Sequence, residues 1–255
     1  MSLRIIRLAF TDSTNRYLRE LPGSDDVLVC ADYQTAGRGC GTNSWESERA
    51  CNLLFSVRLH PQGIGARDQF VISMANALAL QQALGEYAKD VRVKWPNDIY
   101  WHDRKMAGTL IETSVSEGMV RRCIIGTGLN VNQTVFRSDA PNPVSLCQAV
   151  GRAVDREQLL GRIVYWLEHY MQLVADGQWA SVRSSYRQLL WRKDGQCHLF
   201  RTADGELFEA LLSDVADDGT LVLLQPRAGR PATERRFGFK EVQFVSSARS
   251  KPNIN

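Results

Sequence analysis

The spacing of apolar and polar positions predicts strands and helices that follow one another along the chain as far as residue 191. Short runs rich in β-branched and aromatic residues are typical of strands. Such runs occupy residues 3–10, 26–34, 51–59, 91–95, 98–115 and 119–132. The run at 98–115 is predicted to be a hairpin that turns near His102 and Asp103. The run at 119–132 is predicted to end in a glycine turn at 126–128.

Three stretches have a helical pattern. Residues 11–21 predict a short helix with Asp12, Ser13 or Thr14 as its N-cap. Residues 68–87 predict a longer amphipathic helix that covers the sheet. Its apolar positions near one face are Phe70, Met74, Ala77, Leu84 and Tyr87. Residues 143–191 are predicted to be mainly helical.

The pattern changes at about Arg192, where four or five short strands are predicted. Asp204-Gly205 and Asp218-Gly219 are typical of tight hairpin turns. We therefore expect two domains, at residues 1–191 and 192–248. The expected fold is α+β, with a mixed, largely antiparallel sheet packed on helices and a small C-terminal β-barrel.

Composition excludes some classes of function. A chain of 255 residues with 44% hydrophobic and 23% charged residues has an ordinary globular composition. A net charge of +3 is too small to favour nucleic-acid or membrane binding, and no apolar run reaches membrane-spanning length. The six cysteines lie far apart without metal-type pairing, which favours free thiols in a reducing cytoplasm.

A loop between two predicted strands carries three glycines, Gly37, Gly39 and Gly41, together with Arg38 and Trp45. Closely spaced glycines let backbone N–H groups approach an anion, and Arg38 adds a forked cation. The loop lacks the Lys-Ser/Thr of a P-loop, and it does not open a helix as a dinucleotide fingerprint would. Taken alone, it is more simply a surface hairpin connection.

Other polar clusters also lie at strand ends, and each has a simpler explanation. Ser13 and Thr14 are typical of a helix cap, and Lys94 beside Trp95 is typical of a lysine that extends over an aromatic ring. Lys105 at a hairpin is usually a solvated charge, and asparagines such as Asn130 are common in turns. Only the order and spacing of the clusters favour a functional interpretation.

Taken together, five motifs resemble the catalytic domain of biotin–protein ligases. They are "DSTN" (12–15), "QTAGRGCGTNSW" (34–45), "KWPND" (94–98), "DRKMAG" (103–108) and "GTGLNVN" (126–132). The resemblance covers roughly residues 3–190 and implies a class II synthetase-like catalytic domain. The C-terminal β domain is similar to the SH3-like domain that such ligases carry.

The resemblance implies a two-step reaction. Biotin and ATP form biotinyl-5′-AMP and pyrophosphate with Mg²⁺, and biotin then passes to a lysine of a biotin carboxyl carrier protein domain. The implied catalytic residues are Arg38, Lys94, Asp98 and Lys105. The implied biotin-binding residues are Ser13, Thr14, Asn15, Gln34, Thr35, Gly37, Arg38, Gly39, Cys40, Lys105 and Gly108. The implied adenylate-binding residues are Arg38, Trp45, Lys94, Asn97, Asp98, Lys105, Asn130 and Asn132. No side chain is predicted as a metal ligand.

Two departures from the family pattern change the expectations. Cys40 and Thr42 stand where bacterial relatives carry an arginine and a glycine, so we expect biotinyl-AMP to leak faster than in those relatives. The catalytic pattern begins within the first dozen residues, so we expect no DNA-binding domain and no operator binding. Whether the protein forms a homodimer is left open.

Three alternatives remain. A lipoate or octanoate ligase of the same fold would need an apolar tunnel instead of the polar cluster from Ser13 to Gln34. A catalytically inactive biotin-binding protein would have lost one of the implied catalytic side chains, and all are present. A DNA-binding regulator is disfavoured by the mild net charge.

Overall fold

The computed structural model describes residues 3–39, 41, 43–138 and 142–245. Its larger sheet has seven strands in the order β1-β2-β3-β7-β6-β5-β4. These strands are β1 Arg4–Leu8, β2 Val27–Ala31, β3 Leu53–Leu59, β4 Val91–Lys94, β5 Asp98–Trp101, β6 Arg104–Ser116 and β7 Met119–Leu129. β1 and β2 are parallel and every other neighbouring pair is antiparallel, which confirms the predicted mixed sheet.

The helices of this part are α1 Thr14–Glu20, α2 Phe70–Gly85, α3 Leu146–Val150, α4 Arg156–Ala175 and α5 Trp179–Gln188. The prediction that α2 is amphipathic is wrong, because almost all of its residues between Val71 and Leu84 are buried. α2 contacts the sheet strands β4 and β5 on one side, and α4 and α5 also pack against it. α2 is therefore a central helix, and α4, which covers it, is the helix with an exposed polar face.

The C-terminal part contains the five strands β8 Cys197–Thr202, β9 Leu207–Val215, β10 Leu221–Arg227, β11 Arg230–Phe237 and β12 Val242–Phe244. Their order is β11-β10-β9-β8-β12, and all neighbours are antiparallel. The end strands β11 and β12 do not pair in the described residues, so the sheet is not closed into the predicted barrel.

Both sheets contribute to one continuous hydrophobic core, in which Phe200, Phe208 and Leu223 of the C-terminal part belong to the same cluster as α2 and β3. The Trp95 indole N–H donates to the carbonyl of Gly219 at 2.8 Å. The five cysteines in the described part of the chain are free thiols, as predicted. In the same residues, no helix is long and apolar enough to cross a membrane.

Candidate active site

A buried polar cluster stands where α1 begins beside the end of β2. Ser13, Thr14 and Asn15 are each at most 5% exposed. Ser13 holds the N-cap position, but its side chain makes no capping bond. Gln34 instead accepts hydrogen bonds through Oε1 from the Thr14 backbone N–H at 2.7 Å and from the Thr14 hydroxyl at 3.0 Å. The predicted biotin-binding residues at positions 13–15 and 34 are therefore brought together.

Two residues that the sequence did not single out complete this cluster. The Ser56 hydroxyl lies 2.7 Å from Thr14 Oγ1 and 2.6 Å from Asn15 Oδ1. Glu112 accepts a hydrogen bond from Asn15 Nδ2 at 3.1 Å. Ser56 is fully buried. A serine within a largely apolar run was a usable sequence signal for a polar contact inside the protein. Glu112 gave no such signal, since an acidic residue on a long hairpin is usually solvated.

The floor of the site is made by glycines within strands. The predicted turn at 126–128 is wrong, because Gly126 and Gly128 lie inside β7. Two residues apart on one strand, they face the same side of the sheet. A Cβ at Gly126 would overlap the Asn15 amide, and a Cβ at Gly128 would overlap the Trp45 ring. These glycines therefore let Asn15 and Trp45 pack directly against β7, and we call the strip of sheet surface between the two side chains the groove.

The glycine loop itself folds as a hairpin over one end of this groove. Arg38 and Ser44 form an antiparallel bridge. The Trp45 N–H donates to Gly37 O at 3.0 Å, and the Gly39 N–H donates to Asn43 O at 2.7 Å. Trp45 lies over the floor, and its buried indole N–H has no hydrogen-bond partner among the described residues. A buried donor of this kind usually bonds to an ordered water or to a bound group.

An ion pair stands at the Trp45 end of the groove. Lys105 Nζ lies 2.7 Å from Asp98 Oδ2, with the two side chains 30% and 25% exposed. Lys105 Nζ is also 6.0 Å from the centre of the Trp45 ring. A Cβ at Gly108 would lie 3.1 Å from both Lys105 and Trp45, so this glycine brings the two side chains close to the floor.

Lys94 takes a different position from the one its motif suggested. Its Nζ donates to the Tyr100 hydroxyl at 3.0 Å and lies 4.7 to 5.6 Å from the ring centres of Tyr100, Trp191 and Phe244. Burial lowers the pKa of Lys94 below its ordinary value, and the negative charge of Asp98 opposes that shift. The ammonium group is therefore enclosed by aromatic rings where the two sheets meet.

Several predicted residues point elsewhere or are exposed. Arg38 and Thr35 are exposed on the glycine loop, while Gly37 and Gly39 lie within its hairpin. Cys40 lies outside the described residues. Three predicted asparagines form hydrogen bonds within the protein: Asn97 with Ser73, Asn130 with Val144 and Asn132 with Val154.

Asn130 and Asn132 hold the segment that follows β7 in place. Asn130 Nδ2 donates to Val144 O at 3.3 Å, and the Asn132 amide both donates to and accepts from the Val154 backbone at 2.9 Å. These bonds account for the two asparagines in the structure. Their predicted contact with an adenylate stays a prediction.

The chain is similar to known biotin ligases in sequence and in fold. The sequence model of the biotin/lipoate A/B protein ligase family matches residues 8–130. The chain is 34% identical over 243 residues to the biotin–[acetyl-CoA-carboxylase] ligase of Paracoccus denitrificans, covering 91% of this chain and 99% of that one. It is 36% identical over 174 residues to the bifunctional ligase/repressor BirA of Salmonella typhimurium, covering 65% of this chain and 53% of that protein. The chain thus spans about half the length of the bifunctional relative.

Among solved structures, the biotin protein ligase from Aquifex aeolicus in complex with biotin and ATP matches with a TM-score of 0.78. The identity is 22%, and the match covers 95% of this chain and 99% of that one. At this identity the likeness shows the fold. The Paracoccus relative, which this chain covers almost end to end, shows the family and confirms the resemblance that the five motifs indicated. The chain belongs to the biotin/lipoate A/B protein ligase family.

Proposed function

We propose that this protein is a biotin–protein ligase. It activates biotin with ATP to biotinyl-5′-AMP and then transfers biotin to a lysine of a biotin carboxyl carrier protein domain. One observation carries the proposal: a buried polar cluster and the Lys105–Asp98 ion pair lie at the two ends of one glycine-floored groove, and Trp45 covers the second end. Its relatives are named as biotin ligases.

The polar cluster fits the ureido ring of biotin. A ureido group carries two N–H donors and one carbonyl acceptor, and it loses its water when it is buried, so each polar atom needs a protein partner. Ser13, Thr14 and Asn15 present hydroxyl and amide groups in a buried setting, and the half-buried Gln34 adds a second amide. Ser56 and Glu112 hold these side chains in position. The cluster also disfavours the flexible apolar tail of lipoate or octanoate.

The other end of the groove fits the adenylation step. The biotin carboxylate attacks the α-phosphate of ATP, and pyrophosphate leaves. Two anions must approach each other, so catalysis depends on fixed positive charge and donors. Lys105 supplies the charge at the floor, and Arg38 lies on the hairpin above. Adenine is proposed to stack on the outer face of Trp45, as the aromatic ring permits.

Mg²⁺ is proposed to arrive on the phosphates of ATP. In the described ranges, no group of three or more His, Cys, Asp or Glu side chains converges as a metal cage would, and Asp98 is already paired with Lys105. Mg²⁺ usually keeps several waters and binds through substrate phosphates with few protein ligands. Bound in that way, it would neutralise charge on the leaving pyrophosphate.

Asp98 is proposed to act in the transfer step. The acceptor lysine is almost wholly protonated at neutral pH, since its ordinary pKa is ~10.4. It must lose a proton before it attacks the mixed anhydride. Asp98 is the carboxylate paired with Lys105 at the reacting end of the groove, so it is placed to orient the amine and receive that proton.

The domain organisation, the oligomeric state and the cellular location are proposed from the family resemblance. Residues 192–248 are proposed to be a separate module of the SH3-like type that follows the catalytic part. A cytoplasmic location is proposed by analogy with bacterial biotin ligases, and a homodimer that pairs through the larger sheet is proposed from the family resemblance alone.

The test is transfer from preformed biotinyl-AMP to a carrier domain, followed by intact mass over a single turnover. We expect one biotin to be added, and none when the acceptor lysine is replaced by arginine. Asp98→Asn should slow the transfer by about 100-fold, a typical loss for a missing general base. No mass gain with wild-type protein would refute the proposed function. Transfer by Asp98→Asn at the wild-type rate would refute the role of Asp98 alone.

A further inference from the structure

Arg58 of β3 is a buried arginine that donates its hydrogen bonds to backbone carbonyls. Its residue is only 1% exposed. Its Nε donates to Asp25 O at 3.2 Å, and its Nη1 donates to Leu21 O at 2.6 Å and to Leu18 O at 3.4 Å. Among the described residues, its Nη2 has no hydrogen-bond partner. Burying a charged group is costly unless its donors are used, so the position of this side chain calls for an explanation.

The three carbonyls belong to the end of α1 and to the segment that follows it. Leu18 lies in the last turn of α1, and Leu21 is its C-cap. The last carbonyls of a helix have no partner within the helix itself. A guanidinium group carries five donors in a rigid planar fork, so it can bond to several carbonyls at once. Arg58 therefore fastens the C-terminal end of α1 to the larger sheet.

The same strand also holds the N-terminal end of α1. The Ser56 hydroxyl lies 2.7 Å from Thr14 Oγ1 and 2.6 Å from Asn15 Oδ1. Ser56 and Arg58 are two residues apart on β3, so their side chains point to the same face of the sheet, about 6.5 to 7 Å apart. One strand thus holds α1 at both of its ends through polar side chains.

The apolar contact beneath α1 is separate from the main core. Leu18 packs with two valines of β2 and with Ile124 of β7 in a small cluster of buried residues. Hydrophobic contact is non-directional, so it holds the helix against the sheet without determining its exact position along the sheet. Hydrogen bonds are directional. The bonds from Ser56 and Arg58 therefore determine where the first turn of α1 stands.

We propose that Arg58 is a positioning residue for biotin, because by fixing the far end of α1 it holds Ser13, Thr14 and Asn15 in the geometry that binds the ureido ring. This inference rests on the proposed function. Arg58 bonds at the opposite end of a helix of seven residues, which is about 10 Å long, so it acts through α1. Lys105 stands on β6 and pairs with Asp98, and Arg58 does not hold it.

The experiment measures biotin-dependent exchange of pyrophosphate into ATP, with biotin and ATP varied in turn. Arg58→Met should raise the KM for biotin by about tenfold, the scale for loss of one buried hydrogen bond. The KM for ATP and the rate at saturating biotin should not change, which is the pattern of lost substrate binding. Arg58→Lys keeps the charge but lacks the fork that reaches all three carbonyls, so its KM for biotin should lie between those of wild type and Arg58→Met.

The matched control is Val182→Ala. Val182 is buried on α5 and belongs to the main core, away from α1. Its truncation should lower the stability to urea, because it leaves a cavity in the core. The KM for biotin should stay at the wild-type value. This control separates a general loss of stability from a loss of biotin-site geometry.

The outcomes distinguish this inference from the proposed function. No exchange by wild-type protein would refute the proposed function itself. An active wild type with an unchanged KM for biotin in Arg58→Met would overturn only the role of Arg58. An equal rise in the KM for ATP, or an equal rise in the KM for biotin in Val182→Ala, would overturn it as well. If Arg58→Met does not fold, a wild-type KM for biotin in Arg58→Lys overturns the inference.

Discussion

At the scale of single residues, glycines decide which side chains can pack against β7. Gly126 and Gly128 were predicted as part of a turn, yet both sit in β7 with side chains packed over them. The sequence indicates that these glycines matter but not why, because glycine is common both in turns and where another group approaches a strand closely. Only the position of Asn15 and Trp45, which come from distant parts of the chain, settles the reason.

Gly126→Ala tests this explanation. The added methyl would overlap the Asn15 amide, so Asn15 must move away from Ser56 and Glu112. Asn15 would then leave the position in which its amide is proposed to bond to biotin. We expect biotin affinity to fall by at least about tenfold, the usual scale for loss of such hydrogen bonds. Isothermal titration with biotin measures the change.

The matched control for that experiment is Gly161→Ala. Gly161 lies in α4 with open space where its Cβ would be. Biotin affinity should stay at the wild-type value, and the free energy of unfolding should rise by about 0.5 to 1 kcal/mol, as expected for a helical glycine. Equal biotin affinities in the two variants would contradict the proposed floor of the groove.

The lowered pKa of Lys94 predicts how the stability of the folded protein changes with pH. Because burial lowers its pKa, there is a pH range in which the unfolded chain carries a proton on Lys94 and the folded chain does not. Stability from this group therefore rises as pH increases through the folded pKa, and levels off above the unfolded value of ~10.4. The stability of wild type minus that of Lys94→Met should thus increase from neutral to alkaline pH.

Urea unfolding at several pH values up to about 10 measures that difference. Other groups cancel in the subtraction, including Cys30, whose pKa burial raises to about 11. Lys89→Met, at an exposed position, serves as the control. A difference that stayed constant or fell with pH would show that Lys94 is not held in a desolvated setting.

At the scale of elements, the strands and their hairpins were well predicted from the sequence. The turn near His102 and Asp103 is found between β5 and β6, and the glycine loop does connect β2 to β3. The amphipathic assignment of α2 failed, because periodicity cannot show that α4 will cover the outer face of a helix. The closed hairpin over the groove could not be predicted either, since it depends on contacts of Trp45 with distant strands.

Trp45→Ala tests the covering role of the glycine hairpin. Removing the ring exposes the groove floor, so water should reach the mixed anhydride more easily. We expect pyrophosphate release without an acceptor to continue well beyond one equivalent, and faster than in wild type. Trp179→Phe, on α5, serves as a control outside the groove. Release that stopped at one equivalent in Trp45→Ala would contradict the covering role.

At the scale of the whole molecule, the two sheets share one core. Trp95 bonds to Gly219, and Arg187 of α5 pairs with Asp214 and Asp217 at 3.0 and 2.8 Å. The change of pattern at Arg192 predicted the second sheet, but composition gave no sign of how tightly it is attached. A contact such as that of Trp95 with Gly219, 124 positions away in the sequence, leaves no local periodicity to read.

We expect one cooperative unfolding transition, with far-UV circular dichroism and tryptophan fluorescence coincident. Trp95→Phe should keep the single transition and lower the free energy of unfolding by about 1 to 2 kcal/mol, because the half-buried carbonyl of Gly219 loses its indole donor. Two separate transitions in wild type would show that the C-terminal sheet folds independently.

The most direct test of the central claim is pyrophosphate exchange into ATP without an acceptor protein, with biotin, lipoate and octanoate supplied separately. The structure predicts exchange with biotin and little with the other two acids, because the groove ends in buried hydroxyl and amide groups. Exchange with lipoate or octanoate alone would place the protein among the sister ligases. Biotin binding without exchange would contradict the proposed catalytic role of the Lys105–Asp98 end of the groove.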